Sequence, residues 1–169
     1  MQARIAIIIA HDKFRDEEYW IPKHIFENNN HIVKTVSSDM SPAISKFGKP
    51  ANPDMLLSDV SADHFSAIVF VGGPGASEYF DNPIAHRLAA DFTAPGKLLA
   101  AICIAPVILS RAGLLAGKTV TVFPSGNQEL ITNGANVTGN PIEIDGSIIT
   151  ASGAEASEVF AGEIIRLLQ

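Results

Sequence analysis

The chain has 169 residues, 47% of them apolar, which is enough for one domain with a full hydrophobic core over residues 1–169. Its 18 acidic and 12 basic residues leave a net charge of −6, which excludes both a basic patch for nucleic acid and a polybasic membrane face. One cysteine excludes an internal disulfide and no stretch is long enough to span a bilayer, so a cytoplasmic protein is expected.

Strands and helices alternate along the chain with little slack. Ala3–Ala10 reads as a hydrophobic strand buried on both faces. It is too short for a secretory signal, and His11-Asp12-Lys13 follows with no small-residue cleavage site. A helix is expected from Asp16 to Asn28, with Tyr19, Trp20, Ile25 and Phe26 as its apolar positions. His31–Ser37 is a second strand. Ser38 to Ala51, broken by Pro42, Gly48 and Pro50, reads as a loop or short hairpin excursion. Asn52-Pro53 is expected to open a helical turn.

Ser66–Val71 is another buried strand and runs into Gly72-Gly73-Pro74-Gly75. Asn82-Pro83 opens a helix to about Phe92. Lys97–Ile102 is a strand, followed at once by a helical pattern from Ile104 to Gly113. Thr119–Phe123 is a strand, and Ser125 with Gln128 fits a capping box for a helix to Thr132. Ile142–Asp145 and Ser147–Ala151 pair around Asp145-Gly146, a strong hairpin signal. Ser152 with Glu155 fits a second capping box. The closing helix carries Phe160, Ile164, Leu167 and Leu168 on one face. The alternation predicts an α/β fold, a mostly parallel sheet with helices on both faces. Ligands in such folds bind outside the carboxyl ends of the strands, where Gly72-Gly73 and Cys103 fall.

Cys103 sits between a strand and a helix, on a sharp turn that lifts its side chain above the sheet. The helix N-terminus there favours thiolate over thiol. The bland alternative is a small buried hydrophobe. Gly72-Gly73-Pro74-Gly75 lacks the spacing of a dinucleotide fingerprint and has no Gly-Lys-Ser/Thr. A backbone oxyanion site or a plain tight turn both fit it. Asp16-Glu17-Glu18 complements a helix dipole, unless one carboxyl turns inward toward Cys103. None of the five histidines neighbours Cys103 in sequence, and His11, at the end of the first strand, is the best placed to reach it. One cysteine with no clustered histidines makes a metal site unexpected.

Ala100-Ala101-Ile102-Cys103-Ile104-Ala105-Pro106, then Ala112-Gly113-Leu114-Leu115-Ala116-Gly117-Lys118, resembles the nucleophile-elbow region of the ThiJ/PfpI (DJ-one) superfamily. Val69–Gly73 and the opening Phe14–Pro22 resemble it too, so the likeness covers the whole chain in order. It implies a flavodoxin-like three-layer sandwich and a homodimer or larger homo-oligomer. By matching, Cys103 is the nucleophile and Glu18 the buried acid beside it. Gly73 and Ile104, next to Gly72, match the positions whose N–H groups line an oxyanion pocket. Two departures stand out. Ile104 replaces the histidine that follows the cysteine in peptidase-like members, and Phe123 replaces a histidine found in others. The resemblance therefore implies cofactor-free, Cys103-dependent chemistry on a small reactive carbonyl, of glyoxalase or deglycase type. A redox-responsive stress protein using an oxidisable Cys103 is the alternative, and an intracellular peptidase or amidase ranks below it.

Overall fold

Apolar runs that leave no face for water become the middle of a sheet, and four of them do so here. A computed structural model describes residues 1–169. The chain begins with β1 (Arg4–Ile8), the short β2 (Asp12–Phe14) and helix α1 (Asp16–Asn28). Then come β3 (Ile32–Ser37), β4 (Ala43–Ser45), β5 (Pro50–Ala51) and β6 (Met55–Leu56). β7 (Ala67–Phe70) leads to α2 (Pro83–Asp91), and β8 (Leu98–Ile102) leads to α3 (Pro106–Arg111). The last third holds β9 (Thr119–Val120), α4 (Asn127–Thr132) and β10 (Asn136–Val137), then the hairpin β11 (Ile142–Asp145) and β12 (Ile148–Ala151), and α5 (Ser157–Leu167).

Seven strands form one sheet in the order β11-β12-β8-β7-β1-β3-β6. All pairings in it are parallel except β11 with β12. From β1 to β3 the chain steps one way along the sheet, and from β7 to β8 it steps the other. Right-handed crossovers therefore put α1 and α2 on opposite faces. α5 packs on α1, and α2 packs on α3. The result is the flavodoxin-like three-layer α/β sandwich expected from the sequence. Ile5, Ile7, Ile68, Phe70, Leu99 and Ile102 fill the centre, against Phe26 of α1, Phe160 and Ile164 of α5, Leu88 of α2 and Ile108 of α3. Each such burial contributes roughly 1.5–3 kcal/mol. No helix is long and apolar enough to cross a membrane.

Several local expectations fail, each because a longer-range contact wins. Pro53 opens no helical turn: the Asp54 N–H donates to the Thr35 carbonyl at 2.7 Å and its carboxylate accepts the Thr35 N–H at 2.7 Å. The segment is thereby drawn to the sheet edge, and a 3-10 turn forms later, at Leu57–Asp59. Thr119–Phe123 is not one strand either. β9 stops at Val120 and pairs with β10 in a separate small sheet. Beyond it the Thr121 N–H turns to Thr150 Oγ1 at 3.0 Å, and the Phe123 N–H to the Cys103 carbonyl at 2.8 Å. Neither expected capping box forms, because both helices are entered through 3-10 turns. There the Gly126 and Ala156 N–H groups donate to the Phe123 and Gly153 carbonyls at 2.8 and 3.0 Å. Asn82 does cap α2, accepting from the Ile84 and Ala85 N–H groups.

Candidate active site

β7 and β8 lie side by side and end in two sharp turns at the carboxyl edge of the sheet. After β8 the chain folds back at Cys103, whose φ is 63°. That left-handed conformation costs a non-glycine residue roughly 1–2 kcal/mol. Backbone bonds hold it: the Cys103 N–H donates to the Ala151 carbonyl at 2.8 Å, and the Cys103 carbonyl accepts the Phe123 N–H at 2.8 Å. The side chain is left half-buried at the mouth of the turn.

The turn after β7 is packed against the chain that leaves β2. The Gly72 carbonyl accepts the Arg15 N–H at 3.0 Å. A Cβ on Gly73, whose φ is 96°, would stand 2.5 Å from the Arg15 nitrogen, and one on Gly75 only 1.7 Å from the Asp12 carbonyl oxygen. A Cβ on Gly72 would meet Cys103 Cβ and Glu18 Oε2, both at 2.6 Å. These glycines make a close chain crossing and clear space around the thiol at once.

The three adjacent acids have three different fates. Asp16 accepts from Ser45 Oγ at 2.5 Å and from the Phe47 N–H at 3.3 Å, fastening the β4–β5 hairpin to the start of α1. Glu17 accepts from Arg15 Nε at 2.7 Å, and that bond holds its carboxyl below its usual range. Glu18 is fully buried. Its Oε2 accepts the Gly72 N–H at 2.9 Å, while Oε1 has no partner of ordinary geometry. Burial pushes the Glu18 carboxyl up to about 7, against the opposing pull of its contacts with Cys103, Gly72 and Arg15. The inward turn of one acid, open in the local pattern and given to Glu18 by the resemblance, is made by Glu18.

Burial, followed by the charge and side-chain contact of Glu18, pushes the Cys103 thiol up to about 12. The Gly73 and Ile104 N–H groups pull it the other way but do not prevail. The helix N-terminus thus favours the thiolate as the sequence suggests, but burial outweighs it. α3 has only six residues and begins three residues past the cysteine, so its dipole is short and displaced. Desolvation of the charged sulfur is the larger effect.

Cys103, Gly73 and Ile104 line one pocket of about 290 Å³, walled by Phe80 and Phe123. Arg15 and Lys46 stand in the same lining. Glu18 and Gly72 lie behind the sulfur rather than in the lining. His11 is not brought to the thiol: its Nε2 is bonded to Ser41 Oγ at 2.9 Å, and it is absent from the pocket wall. No group of three or more His, Cys, Asp or Glu side chains is placed to hold a metal ion. Sequence reasoning missed Arg15 and Lys46, since one sits in a loop joint and the other in a hairpin. Only the adjacency of Arg15 to the acidic opening hinted at either.

A family model described as "DJ-1/PfpI family" matches residues 3–167. An uncharacterized protein of Methanocaldococcus jannaschii is 34% identical over 170 residues, covering 99% of this chain and 83% of its own. A deglycase of Pyrococcus abyssi is 28% identical over 163 residues, covering 96% of this chain and 98% of its own. YraA of Bacillus subtilis, whose name carries a provisional cysteine-protease label, is 30% identical over 172 residues, covering 100% of each chain. The crystal structure of a ThiJ/PfpI domain protein from Brachyspira murdochii matches with a TM-score of 0.95 at 32% identity, covering 99% of this chain and 96% of that one.

Proposed function

The chain belongs to the DJ-1/PfpI family, and on that premise we propose that it is a cysteine-dependent, cofactor-free enzyme acting on small reactive carbonyls, of glyoxalase or deglycase type. The observation that carries the proposal is the buried Glu18 carboxyl beside Cys103, titrating near 7. A catalytic acid–base works best with a pKa close to the operating pH. The deglycase name of the Pyrococcus abyssi relative supports the same class of substrate. A homodimer or larger assembly belongs to the same proposal, on the strength of the family.

For a 2-oxoaldehyde such as methylglyoxal the steps balance without an external redox partner. Ionised Glu18 takes the Sγ proton as sulfur adds to the aldehyde carbon. Once Glu18 is neutral its charge no longer opposes negative charge on the thiol, which removes the second cause of the raised thiol pKa. The Gly73 and Ile104 N–H groups receive the oxyanion. Glu18 returns its proton to that oxygen, giving a hemithioacetal. It then removes the C1 proton and delivers it to C2 through an enediol, while the C1 hydroxyl proton passes to the C2 oxygen. C1 is oxidised and C2 reduced, leaving a thioester. Water cleaves the thioester to a 2-hydroxy acid and restores the thiol.

The test is production of lactate from methylglyoxal by the purified protein. Cys103→Ser and Glu18→Gln are each expected to lower kcat/KM by at least 10²-fold, the scale of a lost nucleophile or acid–base. Full activity in Cys103→Ser would sink the mechanism. The redox-responsive alternative instead requires selective sulfinate formation at Cys103 under mild peroxide, read by mass spectrometry, with no turnover of any carbonyl. The amide-hydrolysis alternative needs a base such as histidine, and none lines the pocket.

A further inference from the structure

The chain carries a net charge of −6, yet the lining of the Cys103 pocket holds two cations, Arg15 and Lys46, and no carboxylate. We infer that the carbonyl compound taken by this pocket carries an anionic group, a carboxylate or a phosphate, received by Arg15 and Lys46. The inference rests on the carbonyl chemistry proposed for Cys103 and adds the class of substrate that reaches it.

The main chain that carries each cation is held in place. The Arg15 N–H is fixed on the Gly72 carbonyl at 3.0 Å, and the Lys46 N–H on the Phe14 carbonyl at 2.8 Å. Asp16 ties down the residues on either side of Lys46, Ser45 and Phe47. Glu17 occupies Nε and, at 3.5 Å, Nη2 of Arg15, leaving Nη1 unclaimed. The Lys46 ammonium has no carboxylate within ion-pair distance, Glu17 acting on it only through space. Both cations gather at the ring of Phe47, at 5.3 Å for Arg15 and 5.6 Å for Lys46. The Glu17 carboxylate, bonded to Arg15 and within the field of Lys46, offsets part of this charge, and a substrate anion would add its own attraction at the free Arg15 Nη1 and the Lys46 ammonium. The neighbouring Phe80 and Phe123 leave the rest of the pocket apolar. A short carbon chain with one charged end suits that division. The guanidinium fork and the ammonium both donate to carboxylate or phosphate oxygens.

Two readouts test this. The first is alkylation of Cys103 by iodoacetate and by iodoacetamide, which differ in charge and little in size. The rate ratio of anion to neutral reagent is expected to be about tenfold higher in the wild type than in the Arg15→Gln/Lys46→Gln double variant, the lower end of electrostatic focusing. The charge-retaining pair Arg15→Lys/Lys46→Arg should keep most of the wild-type ratio. Equal ratios in wild type and double variant overturn the inference. The second readout is turnover of 4,5-dioxopentanoate, its methyl ester, and the phosphate ester of 3-hydroxy-2-oxopropanal. About tenfold preference for the acid or the phosphate over the methyl ester supports the site, and whichever anion is preferred names its source. An ester turned over as fast as both anions overturns the anion site while leaving the carbonyl chemistry standing. No turnover of any of the three, with the alkylation ratio still high and still lost in the double variant, keeps the anion site and removes the carbonyl chemistry.

Discussion

The two turns that end β7 and β8 face each other at the same edge of the sheet and solve opposite problems. At Gly72-Gly73-Pro74-Gly75 another stretch of chain comes so close that side chains are excluded; a Cβ on Gly75 would lie 1.7 Å from the Asp12 carbonyl oxygen. At Cys103 the backbone takes a left-handed conformation that glycine would adopt more easily, and a side chain is present regardless. The first turn is set by packing, the second by the backbone bonds to the Ala151 carbonyl and the Phe123 N–H that hold a left-handed cysteine in place. Cys103 shares the left-handed region with Lys13 and Asn30, and it alone of the three carries a nucleophilic side chain.

The largest effect is expected from filling the first turn. In Gly72→Ala the new methyl would stand 2.6 Å from Cys103 Cβ and 2.8 Å from the Ile102 carbonyl oxygen. Neither atom can swing aside without moving the elbow. A loss of about 3 kcal/mol in unfolding free energy is expected in urea titration, the upper range of overpacking. The thiol should be displaced as well, so activity should fall by more than the folded fraction does. A loss under about 1 kcal/mol, with activity intact, would mean that the two turns are not in register and that the pocket tolerates slack.

The elbow was legible in the sequence for the same physical reason that the sheet was. An apolar run that stops at one cysteine and continues at once as a helix leaves no room for anything but a sharp turn. Glycines at a strand end were legible as a close approach, but not what approaches them. That is the Asp12–Arg15 segment, 57 to 63 positions away in the chain by the difference of 72 and 15 and of 75 and 12. The acids show the limit most clearly. Asp16, Glu17 and Glu18 are alike as a local pattern, and each points to a different partner: Ser45 and Phe47, Arg15, and Gly72. The helix period decides which one faces inward, but only the tertiary structure supplies what it meets. The burial of the thiol was not legible, because the helix dipole is a local quantity, visible in sequence, whereas desolvation is summed over everything packed around the sulfur.

Glu18 sharpens the comparison from behind both turns, since it touches Gly72 and Cys103 together. Its carboxyl titrates at about 7 in the folded protein against 4.5 when unperturbed. Below pH 4.5 the group is neutral in both folded and unfolded chains, and its contribution to stability is fully present. Between 4.5 and 7 the unfolded chain releases the proton and the folded one keeps it, so stability falls as pH rises. Above 7 both are ionised and about 3 kcal/mol has been lost, the free energy that separates a carboxyl titrating at about 7 from one titrating at 4.5. Glu18→Gln removes this dependence. Its stability relative to wild type should therefore rise by about 3 kcal/mol between about pH 4.5 and about pH 8, read from urea midpoints at the two values. In the proposed mechanism the same group sets the rate. Wild-type kcat/KM should climb through about pH 7 as Glu18 becomes able to accept the thiol proton, and Glu18→Gln should be slow and flat across that range. A variant whose stability difference does not change with pH would place the titration elsewhere.

The smallest expected effect isolates the backbone of the second turn. Cys103→Ala and Cys103→Gly both delete the sulfur and any strain it carries, so their difference reports the left-handed conformation and the remaining Cβ. In an ordinary helix or strand the glycine variant would be the weaker by roughly 0.5–1 kcal/mol, through the greater freedom of its unfolded chain. At φ 63° the order should shift, because the alanine Cβ meets the following carbonyl at a cost of roughly 1–2 kcal/mol. Cys103→Gly is therefore expected to equal or exceed Cys103→Ala, by up to about 1 kcal/mol. If alanine is the more stable by its usual margin, the elbow relaxes once the sulfur is gone. The strain would then belong to the thiol and its contact with Glu18, not to the turn that the Ala151 carbonyl and the Phe123 N–H hold in place.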